Sequence, residues 1–571
     1  MSQTALKKIP ETPPGAKPVA AEILGHIVSA TGPRAVALLA PSAHLAEGYE
    51  RPRVQIGAFL KIRTPRCAVL GLVTGVSTPL PMMDREENSV ELVELNLVGE
   101  IARNESGQQS VFRRGVANPP TIGDPLVTAD HEDLTSVFAP PAVATVKVGS
   151  LYQDSTVAAR LVVDDLLSKH FVITGSTGSG KSCALTCIIR RILDEYRHAH
   201  IVVLDMHNEY KAAFGDGVEA INLGNFSLPF WLLNFQELCA ALTTSDEHRD
   251  AEAEILSEGV VFARRRYTEP VAARSTLLRR AGESVAMTVE TPTPFRLSDV
   301  IAHIDDQLGK LERAQLTLPY RRLKARIEMM IADQRYAFMF GSLTVQDTMS
   351  ETLGRLFRVP GDGKPISVLD LSVVPAEILD VVVSVISRLA FDVGVWSKGR
   401  VPILLVCEEA HRYVPCAEGV QFAPTRQALG RIAKEGRKYG VSLALVTQRP
   451  SELDPTILSQ CSTTIALRLS NERDQQVMRS SSHEAIVDLL EFLPMLGDRE
   501  AIILGQGVSM PMRIMFDDLN CDTIPQNLNA SFSRSWKSPS LNRQELESIV
   551  SRWRQTGREK AEPAAAGDDH G

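Results

Sequence analysis

The chain has 571 residues, 44% of them hydrophobic and 23% charged, with a formal net charge of −8. That length gives ample core for two or three domains, and the composition is that of a globular protein. No apolar run approaches the ~18 residues of a membrane-crossing helix, and the acidic balance excludes a wholly basic nucleic-acid coat while leaving room for a local basic channel.

Residues 1–20, rich in Pro, Lys and Ala, are expected to form a disordered lead-in. They hold basic residues but no apolar h-region, so no secretory signal is expected. The eight cysteines are scattered without C-x-x-C pairs, as in ordinary cytosolic thiols, so the expected compartment is cytoplasmic. From residue 21 to 145 short β runs alternate with turn residues. They are Ile23–Ser29, Ala35–Leu39, Phe59–Ile62, Cys67–Thr74, Val90–Leu97 and Pro125–Val127, broken at Gly32-Pro33, Gly57, Gly75, Asn118-Pro119-Pro120 and Gly123-Asp124. That spacing predicts a small N-terminal β-barrel. It carries no catalytic constellation, so an assembly or docking role is expected.

An α/β region is expected over 146–525. Its first strong signal is the apolar strand Phe171–Ile173, followed by Gly175-Ser176-Thr177-Gly178-Ser179-Gly180-Lys181-Ser182-Cys183 and an amphipathic helix. This is a G-x-x-x-x-G-K-[ST] phosphate loop in its strand–loop–helix setting. Glycines let successive backbone N–H groups turn toward phosphates, and the helix N-terminus adds positive potential. Lys181 can reach the β- and γ-phosphates, and the Ser182 hydroxyl can ligate Mg²⁺. The next apolar strand ends in Asp205-Met206-His207-Asn208-Glu209-Tyr210. Ligands of open α/β sheets bind at such strand ends, so Asp205, His207 and Glu209 are site candidates, although the same residues would also make a solvated turn.

Residues 235 to 345 are rich in helix formers and basic clusters and read as a helical insertion in the core. Arg264-Arg265-Arg266 are candidate contacts to nucleic-acid phosphates; a solvated face is the plainer alternative. The β/α alternation resumes with Ile366–Leu371, Ala376–Val393 and Val401–Cys407, the last closed by Glu408-Glu409-Ala410-His411. Two acids at that point suit a Mg²⁺–nucleotide site, with Glu408 holding the metal through water and Glu409 polarising the attacking water. A basic helix through Arg431 and Arg437 stops at Gly440. Strand Val441–Thr447 then leads to Gln448, which can hydrogen-bond the γ-phosphate or the attacking water. Arg437, or alternatively Arg431, is placed to act as a finger on a neighbouring subunit's nucleotide; either arginine would equally make a surface salt bridge. Strand Thr463–Leu469 and a hairpin-like pair, Ala501–Leu504 and Met512–Phe516, complete the sheet. Residues 526–571 read as one amphipathic helix, Leu541–Trp553, and a disordered tail from Glu562.

The ordered set Glu408-Glu409-Ala410-His411, Ile432-Ala-Lys-Glu-Gly-Arg-Lys-Tyr-Gly, Thr447-Gln-Arg-Pro-Ser and Leu458-Ser-Gln-Cys-Ser resembles the HerA branch of the HerA/FtsK ATPases. So does Asp205-Met-His-Asn-Glu-Tyr210, and the resemblance runs from about residue 22 to 525. It implies a RecA-like P-loop ATPase core preceded by a small β-barrel. It also implies a hexameric ring that uses ATP and Mg²⁺ to pump double-stranded DNA, and a NurA-like nuclease or other effector as partner, in DNA end processing or anti-phage defence. Carried over by position, Lys181 and Ser182 bind phosphate and metal, Glu409 is the catalytic base, Gln448 the sensor and Arg437 the trans finger. Glu408 departs from the more usual Asp, which affects the metal-binding detail. Two other readings of the chain compete. One is an ATP-assembled scaffold that regulates a bound effector. The other is a conjugation or secretion motor, against which the expected lack of a membrane anchor counts.

Overall fold

The computed structural model describes residues 23–40, 54–78, 91–103, 110–244, 247–274, 288–310, 314–341, 345–361, 363–416, 423–481, 487–520, 523–525, 536–537 and 542–555. The lead-in expected at 1–20 and the tail expected from Glu562 lie outside these residues. The chain divides into two compact units, Met1–Pro141 with Ser150–Ala159 and Ala142–Gly149 with Arg160–Gly571.

In the first unit the strands are β1 (Ile23–Thr31), β2 (Arg34–Leu39), β3 (Phe59–Arg63), β4 (Ala68–Ser77), β5 (Leu92–Arg103), β6 (Ser110–Arg114) and β7 (Pro125–Thr128). Their order is β2-β1-β7-β3-β4-β5-β6, and β5 also pairs with β2. Six antiparallel strands therefore close on themselves, leaving β6 attached to the outer side of β5. Closure removes the exposed edges that invite aggregation. Alternate residues such as Leu24, Ile62, Val69, Val73, Val93 and Leu126 point inward and form the core. Where β1 crosses β2, a Cβ on Gly25 would lie 2.1 Å from the Leu38 carbonyl oxygen, so only glycine fits.

The second unit is a RecA-like α/β fold. Its strands are β8 (Thr145–Leu151), β9 (Ala158–Val162), β10 (Phe171–Thr174), β11 (His200–Asp205), β12 (Val218–Ile221), β13 (Ile366–Asp370), β14 (Ile403–Cys407), β15 (Val441–Thr447), β16 (Thr463–Ala466), β17 (Glu500–Gly505) and β18 (Met512–Phe516). The sheet order is β12-β13-β11-β14-β15-β10-β16-β17-β18-β8-β9. The strands from β12 to β16 run parallel, and β17 and β18 follow antiparallel. The parallel strands are nearly continuous apolar runs because helices bury both of their faces. Strands β6, β8, β9 and β12 were not foreseen; of the three in this sheet, β9 and β12 are its edges.

Between β12 and β13 lie the helices Phe235–Leu242, Arg249–Arg274, Leu297–Lys310, Ala314–Ala332 and Met349–Phe357. Asn234 caps the first, its side chain accepting from the Glu237 backbone N–H while the Glu237 carboxylate accepts from the Asn234 N–H. A C-terminal helix covers Arg543–Gln555, close to the expected Leu541–Trp553.

Candidate nucleotide site

The four residues of β10 are fully buried, and the chain leaves the strand at Gly175. Gly178 (φ 77°) and Gly180 (φ 99°) are left-handed, which is how the loop reverses to start the helix Lys181–Glu195. The loop is tied down from outside. The Ser176 N–H donates to the Arg468 carbonyl at 2.7 Å, and Lys181 Nζ donates to the Ser176 carbonyl at 3.2 Å. Burial pushes the Lys181 ammonium below the usual lysine range, opposed by the carboxylates of Glu409, Glu408 and Glu209.

Register explains which residues meet the loop. Thr174 pairs with Thr447, so Gly175 and Gln448 leave adjacent strands side by side. Thr177 Oγ1 donates to Gln448 Oε1 at 2.5 Å. Likewise Leu204 pairs with Cys407, which sets Asp205 beside Glu408. These residues come together at the carboxyl ends of parallel strands, where an open α/β sheet binds its ligand.

The candidate acids divide into separate jobs. Asp205 is buried and committed to its own turn, accepting from the His207 N–H at 3.1 Å and the Tyr210 N–H at 3.0 Å. Glu209 joins the loop directly, its Oε2 accepting from Ser182 Oγ at 3.1 Å. Burial raises the Glu209 pKa, against the Ser182 hydrogen bond. His207 is exposed and makes no hydrogen bond through its ring among the described residues. Glu408 is buried and accepts from the Met206 N–H at 3.0 Å. Burial, then the Asp205 and Glu209 charges, hold its carboxyl well above the ordinary range.

Glu409 sits in the left-handed region at φ 47°, a costly conformation for a residue with a side chain and one that gathers at functional positions. Its buried Oε2 has no hydrogen-bond partner among the described residues, although His411 Nδ1 is 3.3 Å away. His411 Nδ1 also lies 3.1 Å from Thr447 Oγ1, which accepts from the Arg449 N–H. Burial lowers the His411 pKa, opposed by the Glu409 charge. A chain of contacts thus runs from Glu409 through His411 to Thr447, the residue before Gln448. Sequence reasoning quoted His411 and Thr447 only as parts of two motifs and gave neither a role; their positions near the ends of neighbouring strands were the available signal.

The arginines also separate. Arg431 lays its guanidinium over the Phe391 ring, 4.2 Å from the centroid. Arg437 is exposed and has no hydrogen bond or ion pair among the described residues. The expectation for Arg264 is corrected. It is 1% exposed, donates to the Thr288 and Val289 carbonyls at 2.9 and 2.6 Å, and stacks on Phe295. Burial lowers its pKa to about 10, and one guanidinium nitrogen serves both carbonyls while Nε is buried without a hydrogen-bond partner among the described residues. Arg265 and Arg266 are exposed, with Arg266 3.1 Å from Asp299.

Among the described residues no group of three or more His, Cys, Asp or Glu forms a ready-made metal cage. Mg²⁺ does not require one, since it keeps several waters and takes one or two protein oxygens plus phosphates. The Ser182 hydroxyl and a Glu408 carboxyl crowded by two other acids fit that demand. A divalent cation would reverse the electrostatics that now favour protonated Glu408.

Residues 146–390 match the family model for the central domain of helicase HerA. The chain is 25% identical over 523 residues to the DNA double-strand break repair helicase HerA of Saccharolobus solfataricus, covering 87% of this chain and 92% of that protein. It is 28% identical over 440 residues to a probable helicase of Methanocaldococcus jannaschii, covering 75% of this chain and 77% of that protein. Among solved structures, VirB4 of Thermoanaerobacter pseudethanolicus superposes with a TM-score of 0.46 and 13% identity, covering 67% of this chain and 98% of that one.

Proposed function

We propose that the chain is a HerA-family ATPase that couples hydrolysis to movement along double-stranded DNA, a reading its similarity to that family supports. The observation that carries this reading is the Glu409 carboxylate. It is buried and strained, and its Oε2 has no hydrogen-bond partner among the described residues, beside a phosphate loop whose Thr177 already touches Gln448. A carboxylate kept free of hydrogen bonds is available to accept a proton from water, and Gln448 is placed to orient that water. Lys181 would neutralise phosphate charge. Mg²⁺, held by Ser182 and Glu408, would supply further charge neutralisation at the phosphates.

Arg437, exposed and uncommitted, fits a finger acting on a neighbouring subunit's nucleotide better than Arg431, which is stacked on Phe391. This favours a closed homo-oligomer, a hexamer in the family pattern, in which each site is completed by its neighbour. No nuclease constellation is evident in the sequence, so DNA cutting would come from a partner such as a NurA-like nuclease. The family relatives point to break repair, and anti-phage defence with another effector is the second setting. Among the described residues no helix is long and apolar enough to cross a membrane.

The test is ATP turnover by the purified chain with and without linear duplex DNA, beside Glu409→Gln. Stimulation by DNA is expected, with a fall of about 10²–10⁴-fold in the variant. Turnover indifferent to DNA would sink the motor reading and leave the ring as a scaffold acting through its partner.

A further inference from the structure

Gln448 leaves β15 with its backbone held on both sides. Thr447 is buried and its Oγ1 accepts from the Arg449 N–H at 3.1 Å, while the Ser451 N–H donates to buried Asp474 at 3.0 Å. The phosphate loop opposite is pinned as well, on its far side, toward β16. There the Ser176 N–H donates to the Arg468 carbonyl, and Ser176 Oγ accepts from the Ser470 N–H at 3.4 Å. Between these two fixed segments Thr177 Oγ1 donates to Gln448 Oε1 at 2.5 Å. Thr177 is exposed and Gln448 half-buried. The other end of the amide, Gln448 Nε2, has no hydrogen-bond partner among the described residues.

We propose that Thr177 is the positioning residue for Gln448: its hydroxyl holds the amide by the oxygen and leaves the NH₂ group to face the terminal phosphate and the attacking water. The inference rests on the reading of Gln448 as the group that meets them. A glutamine side chain has several rotatable bonds, and its terminal torsion has two broad wells. Without a tether, a half-buried glutamine spreads over many orientations. An amide turned the other way sets its oxygen against phosphate oxygens, where no hydrogen bond can form. With Oε1 anchored to Thr177, both Nε2 hydrogens stay available to an acceptor. Stability of the fold does not account for the contact, because water serves an exposed hydroxyl nearly as well. Thr177 belongs to the loop that binds phosphate, and the tether needs that loop in register with β15, Thr174 against Thr447. A shift of the loop on nucleotide binding or release is thereby passed to Gln448 and to the 449–452 segment beyond it.

The test measures kcat at saturating ATP and, by calorimetry, the Kd for a non-hydrolysable ATP analogue, on the full chain. Thr177→Val keeps the shape of the side chain and removes the donor. It should lower kcat roughly fivefold, the effect of one neutral hydrogen bond, with the Kd and the melting midpoint unchanged. Thr177→Ser restores the donor and should bring kcat back to within about twofold of the wild type. In a Gln448→Met chain, Thr177→Val should have no further effect, read by single-turnover hydrolysis of labelled ATP so that slow rates stay measurable. The inference is overturned if Thr177→Val keeps full turnover, or if Thr177→Ser is no better than Thr177→Val. It is equally overturned if the loss appears in the Kd, which would make Thr177 a phosphate ligand, or if Thr177→Val slows the Gln448→Met chain as much as the wild type. If Gln448→Met itself turns over like the wild type, the reading of Gln448 fails and takes the inference with it.

Discussion

Glu408 and Glu237 are sealed inside the same unit, at 4% and 0% exposure, yet their surroundings are opposite. Glu237, where the helical insertion begins, is fully matched. Its carboxylate accepts from the Asn234 N–H, from Ser384 Oγ at 2.9 Å and from the Arg388 guanidinium at 3.0–3.2 Å. Glu408, at the strand ends, has one backbone N–H and two further acids as neighbours. A buried charge with every lone pair used is a structural device; a buried acid left crowded by like charges is free to bind something from outside. Burial alone does not separate architecture from function in this protein, whereas burial without compensation does. Arg264 is a mixed case on the cationic side, with one guanidinium nitrogen given to carbonyls of its own insertion and a buried Nε that has no partner among the described residues.

The largest effect that could break the comparison is at the matched cluster. Arg388→Ala would strand the Glu237 charge and the Leu232 carbonyl that Arg388 also serves at 2.6 Å. We expect about 3–5 kcal/mol of lost stability, read as a markedly lower melting midpoint, with ATP affinity of the folded fraction little changed. Glu409→Gln should behave in reverse, with turnover collapsing while the melting midpoint holds or rises. If Arg388→Ala instead left stability intact and abolished nucleotide binding, the proposed division of the two regions would be wrong.

How much of this was legible in the sequence depends on range. The phosphate loop and the strand-end acids are local patterns, short apolar runs closed by Gly or by paired acids, and the structure places them at adjacent strand ends. Six of the seven strands of the first unit were equally readable from alternation and turn residues; β6 was not. The three consecutive arginines looked alike because a helix turns 100° per residue, and only packing against Phe295 and the 288–289 segment decides that Arg264 points inward. A signal was present, since Val260, Ala263 and Arg264 follow helical spacing on one buried face. The His411–Thr447 contact joins two separate motifs through strand register, so neither motif alone announces it.

Asp380 sharpens the comparison as an intermediate case. It is buried, neither carboxyl oxygen has a hydrogen-bond partner among the described residues, and burial followed by the Glu237 charge raises its pKa to about 6. The folded chain then binds a proton more tightly than the unfolded one, whose ordinary value is 3.8. Its contribution to stability is fully present below pH 3.8 and is lost as pH rises through about 6. Asp380→Asn should therefore gain about 1–3 kcal/mol at pH 7.5 and little at pH 4, as measured by denaturant melts at both values. A gain independent of pH would mean that the carboxyl is compensated in a way its neighbours do not suggest.

The smallest effect concerns the exposed arginines beside buried Arg264. If Arg265 reaches a DNA phosphate, Arg265→Ala should reduce the slope of log affinity against log salt by about 0.9. Arg266→Ala should reduce it by less, because Asp299 already neutralises that side chain. Arg264→Met should leave the slope unchanged and lower stability instead, by about 1–3 kcal/mol for the two unserved carbonyls. Fluorescence anisotropy on duplex DNA across a salt series separates these outcomes. An unaltered slope in Arg265→Ala would assign this helix face to solvent and send the search for DNA contacts to other basic residues of the second unit. A changed slope in Arg264→Met would show that the insertion opens on DNA, because a residue buried by its own chain reaches a phosphate only if its packing against Phe295 is broken.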